Sequence, residues 1–194
     1  MSDVFGVISP GPLTTVQDAG RPAFQHMGVP VSGAVDRYAL RVANWLVGNA
    51  GGCAVLEATL AGVRLEVLAE ADIALTGAAS ALTVNGVRAP GWASVRVRPG
   101  DVVDAGVPED GCRSYLAVAG GIDVPPVMGS RATYLGGRLG GFNGRALEAG
   151  DVLRRGPAKL LDRPRCLPWF PLYVHRLGPG QPHGLSPGGA GAGP

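Results

Sequence analysis

Apolar and polar positions change their spacing near residue 54. Before it, residues 35–49 (VDRYALRVANWLVGN) place apolar side chains at Val35, Ala39, Val42 or Ala43, and Leu46, the repeat of one helix face. Ser32 precedes this run as a candidate N-cap, and Asp36 falls in the first turn, where it offsets the helix dipole. Gly48 can close the helix in a left-handed conformation. After residue 54 the period drops to two. Leu56, Ala58 and Leu60 alternate with Glu57 and Thr59, and Val63, Leu65 and Val67 alternate with Arg64 and Glu66.

Further short strands follow the same logic. Residues 4–8 precede the turn Ser9-Pro10-Gly11-Pro12, residues 73–77 read IALTG, and LTV and Val87 flank Asn85-Gly86, a hairpin signal. VRV at 95–97 leads through Pro99-Gly100-Asp101 into VVDA, and YLAVAGG at 115–121 reads as a buried strand ending in two glycines. ALEAGDVL at 146–153 repeats the turn-and-strand pattern of RPGDVV. The 32 glycines and 17 prolines fit many tight turns. Together these features predict an all-β barrel or sandwich with one conspicuous helix, rather than alternating βαβ units.

Past Gly156 the period fades. The predicted organisation is a folded domain over 1–157 and an irregular, partly disordered tail over 158–194, rich in glycine and proline. Trp169, Phe170, Leu172, Tyr173 and Val174 remain available to cover an edge. A formal charge of +2 suggests neither nucleic acid nor an anionic membrane, and 6% aromatics argue against a single-strand platform. No apolar run approaches the roughly 18 residues of a membrane span, and MSDVFGVISPGP lacks the features of a signal peptide, so a cytoplasmic protein is expected. Cys53, Cys112 and Cys166 show no CxxC spacing, so neither a disulfide framework nor a metal site is expected. Cys53 has no nearby histidine to make it a nucleophile, and the cysteines read as core or incidental.

Residues 17–36, QDAGRPAFQHMGVPVSGAVD, crowd polar groups among glycines and prolines. This stretch, with LEATLAG, ALTGA, YLAVAGGIDVPPVMGSRATYL and GRALEAGDVL in order, resembles the biotin-dependent carboxyltransferase family, also called allophanate hydrolase subunit 2. That family includes the C subunit of 5-oxoprolinase and KipA-type antagonists of a sporulation-kinase inhibitor. The resemblance covers residues 6–157. It implies a cyclophilin-like β-barrel in tandem copies, with a KipI-like B subunit and an A subunit as partners. The implied activity is ATP-dependent opening of 5-oxoproline to glutamate. A related module moves a carboxyl group from carboxybiotin to urea, and a third possibility is a regulator that binds its partner without catalysis. Ala23 stands where the family usually has glycine, and Val35 where methionine is common. The family's second barrel is not visible, which reads as truncation to the N-terminal half and favours self-association through uncovered surface.

Ring opening and carboxyl transfer both place charge on a carbonyl oxygen and need fixed donors and a base. Asp18 is expected as the base or as the orienter of Arg21, and Arg21 as a planar fork for a carboxylate. The same two residues read equally well as a local salt bridge. Gln17 and Gln25 can donate to a lactam or amide carbonyl; His26, Ser32 and the amides near Gly33 complete a substrate-binding set. His26 also fits a plain surface role, and Tyr38 and Trp45 fit packing. In residues 120–134, Gly129-Ser130-Arg131 offer amides, a hydroxyl and a guanidinium, a nest suited to an anion, or else a structured turn. LGGRLGGFNG (135–144) lacks the GK[ST] of a phosphate loop, so ATP is assigned to a partner protein. The only lysine, Lys159, lacks a biotin-attachment context. No cofactor is therefore expected to be bound by this chain itself, and biotin enters only through the family.

Overall fold

A computed structural model of the chain describes residues 1–78 and 81–167. Among them, the strands form two antiparallel sheets. The first has the order β11 (Val152–Arg155), β1 (Ser2–Ser9), β4 (Arg64–Val67), β9 (Val102–Asp104), β6 (Thr83–Val84), β7 (Val87–Arg88). The second has the order β2 (Leu13–Gln17), β3 (Val55–Thr59), β10 (Arg113–Val118), β5 (Ala71–Gly77), β8 (Ser94–Val97). The one α-helix among the described residues, α1 (Arg37–Leu46), lies on the second sheet. The all-β reading with one conspicuous helix therefore holds. Strand β2 is an addition, because LTTVQ carries no clear alternation.

The layers explain the sequence pattern. Between the sheets lie Phe5, Leu65, Val103 and Leu153 from one and Leu56, Ile73, Val97, Leu116 and Val118 from the other. On its opposite face the second sheet presents Val55, Ala74, Tyr115 and Ala117 to Ala39, Leu40, Ala43 and Leu46 of the helix. This sheet is covered on both sides, so YLAVA reads as a continuous apolar run. The same geometry corrects the alternation expected at 56–60. Glu57 points under the helix and is 4% exposed, while Leu60 leaves the strand with φ 67° and is 61% exposed. Helix entry is corrected too. Asp36, not Ser32, is the N-cap, its carboxylate accepting from the N–H groups of Tyr38 and Ala39; Ser32 sits at φ 55°. Val35 precedes the helix and is exposed instead of joining the apolar stripe.

Asn85 and Gly86 both have positive φ, the two-residue turn expected between β6 and β7. The repeated Gly-Asp motif makes the same turn twice. Asp101 Oδ2 accepts from Arg98 N–H and Asp151 Oδ2 from Glu148 N–H. Asp101 then pairs its carbonyl with Val67 N–H, as Asp151 does with Val7 N–H, before β9 and β11 begin. The second strand starts only at Val152; Ala146–Leu147 is not part of it.

Residues 158–167, read from the sequence as the start of an irregular tail, pack against the second sheet. Leu161 N–H donates to Asp72 Oδ2, and Ser94 N–H donates to the Arg165 carbonyl. Ala93 and Cys166 form a bridge alongside β8. The edge of the sheet is thereby paired by the chain's own backbone, a regular way to blunt an edge strand. Trp169, Phe170, Leu172, Tyr173 and Val174, and the predicted disorder of the last residues, lie outside the described residues. No helix among the described residues is long and apolar enough to cross a membrane.

Candidate functional site

The polar stretch is two antiparallel passes of backbone. Arg21 N–H donates to the Val31 carbonyl and Ala34 N–H to the Asp18 carbonyl. Gly20 and Gly33 face each other where the passes touch. A Cβ on Gly20 would lie 2.6 Å from the Ser32 carbonyl oxygen, and one on Gly33 would lie 2.7 Å from Gly20 N. These glycines admit the partner backbone where the two passes cross.

Asp18, 8% exposed, reaches across to a tight turn 112 residues away. Val127 and Ser130 exchange N–H···O bonds of 2.8 and 3.2 Å around Met128-Gly129, both at positive φ. That turn presents the Ser130 hydroxyl to Asp18 Oδ1 at 2.7 Å and the Arg131 N–H to Asp18 Oδ2 at 2.6 Å. Gly20 N–H adds a third donor at 2.7 Å. The nest expected at Ser130-Arg131 thus exists, and its anion is Asp18. Ser130, 1% exposed, has no free hydroxyl for substrate, and its oxygen accepts from Ala132 N–H.

Arg21 does not pair with Asp18. Its guanidinium, 1% exposed, donates to the carbonyls of Val127 and Ala132, leaving Nη1 buried without a partner. The glycine-rich segment packs on top: a Cβ at Gly140 would lie 2.7 Å from Arg21 Nη2, and one at Gly141 would overlap Thr133 Oγ1. Segment 135–144 is absorbed in this packing and leads into no helix, so it does not fit a nucleotide phosphate. Gln17 spends its amide N–H groups on Thr15 Oγ1 and the Thr133 carbonyl, leaving its oxygen enclosed and unpartnered. Gln25 and His26 stand exposed on a 3-10 turn (Gln25–Met27), where Gln25 Oε1 accepts from Ala23 N–H.

Among the expected site residues, Arg131 alone lines the cleft beside these loops. This cleft of about 270 Å³ is walled by Cys53, Gly120, Gly121, Asp123, Arg131 and Gly156, among others. Arg131 is anchored from three directions: its N–H by Asp18, Nε by the Val124 carbonyl at 2.8 Å, and Nη2 beside Asp123 at 3.6 Å. Nη1 carries no hydrogen bond among the described residues, and the side chain is 40% exposed. Cys53 is a half-buried wall of this cleft instead of a core residue; Cys112 and Cys166 are exposed, and all three are free thiols.

The sequence reading missed a buried row beneath the helix entrance. Glu57 and Tyr115 are cross-strand neighbours on β3 and β10. Glu57 Oε2 accepts from Val35 N–H, Oε1 accepts from Arg113, and the Tyr115 hydroxyl accepts from Asp36 N–H. Burial, reinforced by the Glu57 carboxylate beside it, holds the Tyr115 phenol well above its ordinary range. The signal available was a carboxylate and a tyrosine within otherwise apolar strands. Among the described residues, no three of His, Cys, Asp and Glu converge as a metal site would require.

The model of the family "Carboxyltransferase domain, subdomain A and B" matches residues 27–178, and the chain belongs to that family. It is 46% identical over 155 residues to the C subunit of 5-oxoprolinase from Escherichia coli, covering 79% of this chain and 49% of that protein. It is 44% identical over 150 residues to urea amidolyase of Lachancea kluyveri, covering 77% of this chain and 8% of that one. Among solved structures, the Kluyveromyces lactis urea carboxylase superposes with TM-score 0.77 at 39% identity, over 83% of this chain and 15% of that one. TTHA0988 does so with TM-score 0.81 at 35% identity, over 88% and 34%. The chain thus spans about half the length of the bacterial relative and a small part of the fungal one.

Proposed function

We propose that this chain forms part of a multi-subunit 5-oxoprolinase and that the Arg131 cleft receives the substrate. The observation that carries this reading is the anchored guanidinium of Arg131, with Nη1 uncommitted at the wall of a small cleft. A planar fork suits a carboxylate, and 5-oxoproline carries one beside its lactam. In the reaction the lactam C–N bond breaks and water supplies a hydroxyl to the acyl carbon and a proton to nitrogen. ATP, handled by a partner protein, drives it. Asp18 and Arg21 act as positioning residues here: both are buried and committed to the 127–132 turn. The similarity to the C subunit of 5-oxoprolinase in two bacteria supports the substrate class.

A second reading rests on the comparable similarity to urea amidolyase. There the cleft would take an amide, and Arg131 would meet the carboxyl group of carboxybiotin carried on another chain. Bound carboxybiotin supplies an activated carboxyl group; this chain's part is to hold an anion at Arg131.

Glutamate release from 5-oxoproline plus ATP, with purified A and B subunits and with or without bicarbonate and a biotinylated carrier, separates the readings. Release independent of bicarbonate supports the oxoprolinase. In a parallel assay with urea in place of 5-oxoproline, urea consumption that requires both bicarbonate and the carrier supports carboxyl transfer. A tight complex with neither activity would instead fit a KipA-like regulator.

A further inference from the structure

The helix that covers the second sheet turns an aromatic and cationic face outward. Tyr38, Arg41 and Trp45 recur at i, i+3 and i+7, so they share one side of α1, opposite the buried Leu40, Ala43 and Leu46. Tyr38 is 66% exposed and Trp45 is 49% exposed. Both aromatics are held in place. The Tyr38 ring lies 6.3 Å from that of Trp92, and the Arg165 guanidinium sits 5.7 Å over Trp45 while donating to the Trp45 carbonyl at 2.8 Å. Helix α1 contains Arg37 and Arg41 and no acidic residue, its adjoining carboxylate being the Asp36 cap that accepts from Tyr38 and Ala39 N–H, so with Arg165 over Trp45 this side of the helix carries more cations than acids.

Rigid exposed aromatics beside arginines are the composition of interface hot spots, because little side-chain entropy is lost when they are buried. Charge decides among occupants. A second copy would bring the same excess of arginines over the single Asp36 carboxylate, which disfavours a symmetric contact. A nucleic acid would call for a strongly basic chain, whereas this one has a formal charge of +2. We infer that the outer face of α1, centred on Tyr38, Arg41 and Trp45, is the docking surface for an acidic protein face with an apolar centre, belonging to the B-type partner of the assembly. This rests on the oxoprolinase reading and adds where the partner binds.

The test is calorimetric titration of the full chain with a purified B subunit of the 5-oxoprolinase type, at low and physiological ionic strength. Tyr38→Ala and Trp45→Ala are each expected to weaken binding by about tenfold or more, the scale of interface hot spots. Arg41→Glu should weaken binding and flatten its salt dependence. Val152→Ala, at an exposed position on β11 in the other sheet, should leave the affinity unchanged. Equal binding by wild type and all three helix variants overturns this inference alone and leaves the oxoprolinase reading standing. No binding by the wild type overturns both. Dimers that Trp45→Ala dissolves in sedimentation, or a labelled single-stranded oligonucleotide that the helix variants release, would also overturn it, since the face would then serve another occupant.

Discussion

The Asp18 carboxylate accepts a 2.6 Å hydrogen bond from the main-chain N–H of Arg131, a residue 113 positions further along the chain. One buried carboxylate thereby fixes both the entry to the polar stretch and the turn that aims Arg131 into the cleft. Asp18→Asn keeps the shape but turns an N–H pair toward the donors from Gly20, Ser130 and Arg131. Leaving one of them unmatched costs about 2–3 kcal/mol. Urea unfolding should show that loss at unchanged m-value, and turnover should fall as Arg131 loses its anchor.

Ala23 adopts φ 79°, a left-handed conformation, on the exposed rim of the polar stretch. An L-residue there is strained by roughly 1 kcal/mol, which glycine relieves. Ala23→Gly should raise the midpoint of thermal unfolding by about 2–4 °C. A lower midpoint would show that glycine's greater freedom in the unfolded chain outweighs the strain.

Much of the fold was legible because period-two runs, the Asn85-Gly86 turn and the paired Gly-Asp turns are local signals. The departures have separate causes. Alternation puts Glu57 on a wet side, yet the helix dries the second face of that sheet, and Leu60 lies past the strand end at φ 67°. Ser32 stood where a cap belongs by position, but Asp36 lies closer to the apolar run and has the extended backbone that a cap needs. The site was half legible. The types Asp18, Arg21, Ser130 and Arg131 were marked, but sequence spacing cannot show that the anion for the 130–131 nest is supplied by Asp18. Nor could it show that Arg21 is sealed under Gly140.

Removing the Tyr115 hydroxyl tests the helix entrance. Tyr115→Phe preserves ring packing and leaves Asp36 N–H without its acceptor at 2.8 Å. A loss of about 1–2 kcal/mol is expected from denaturant unfolding. A neutral result would mean that Asp36 finds another partner.

Acid should loosen the β11 turn. The Arg145 guanidinium, forked onto Asp151 at 2.7 and 2.8 Å, holds that carboxyl below its ordinary value. A depressed folded-state value means a contribution fully present above the unfolded carboxylate range. It is lost as pH falls through that range towards the folded value. With Arg145 a third exposed, about 1 kcal/mol is at stake after solvent screening. Asp151→Asn should therefore reduce the slope of stability against pH between about 5 and 3. An unchanged slope would remove Asp151 from the acid response.

The most direct measurement is steady-state glutamate release by Arg131→Met in the reconstituted three-component assembly, across a range of 5-oxoproline concentrations. If Arg131 binds the substrate carboxylate, KM should rise about a hundredfold, the loss of roughly 3 kcal/mol for a charged hydrogen bond, alongside a modest fall in thermal midpoint from losing the Nε bond to the Val124 carbonyl. An unchanged KM with normal turnover would contradict the placement of substrate in this cleft.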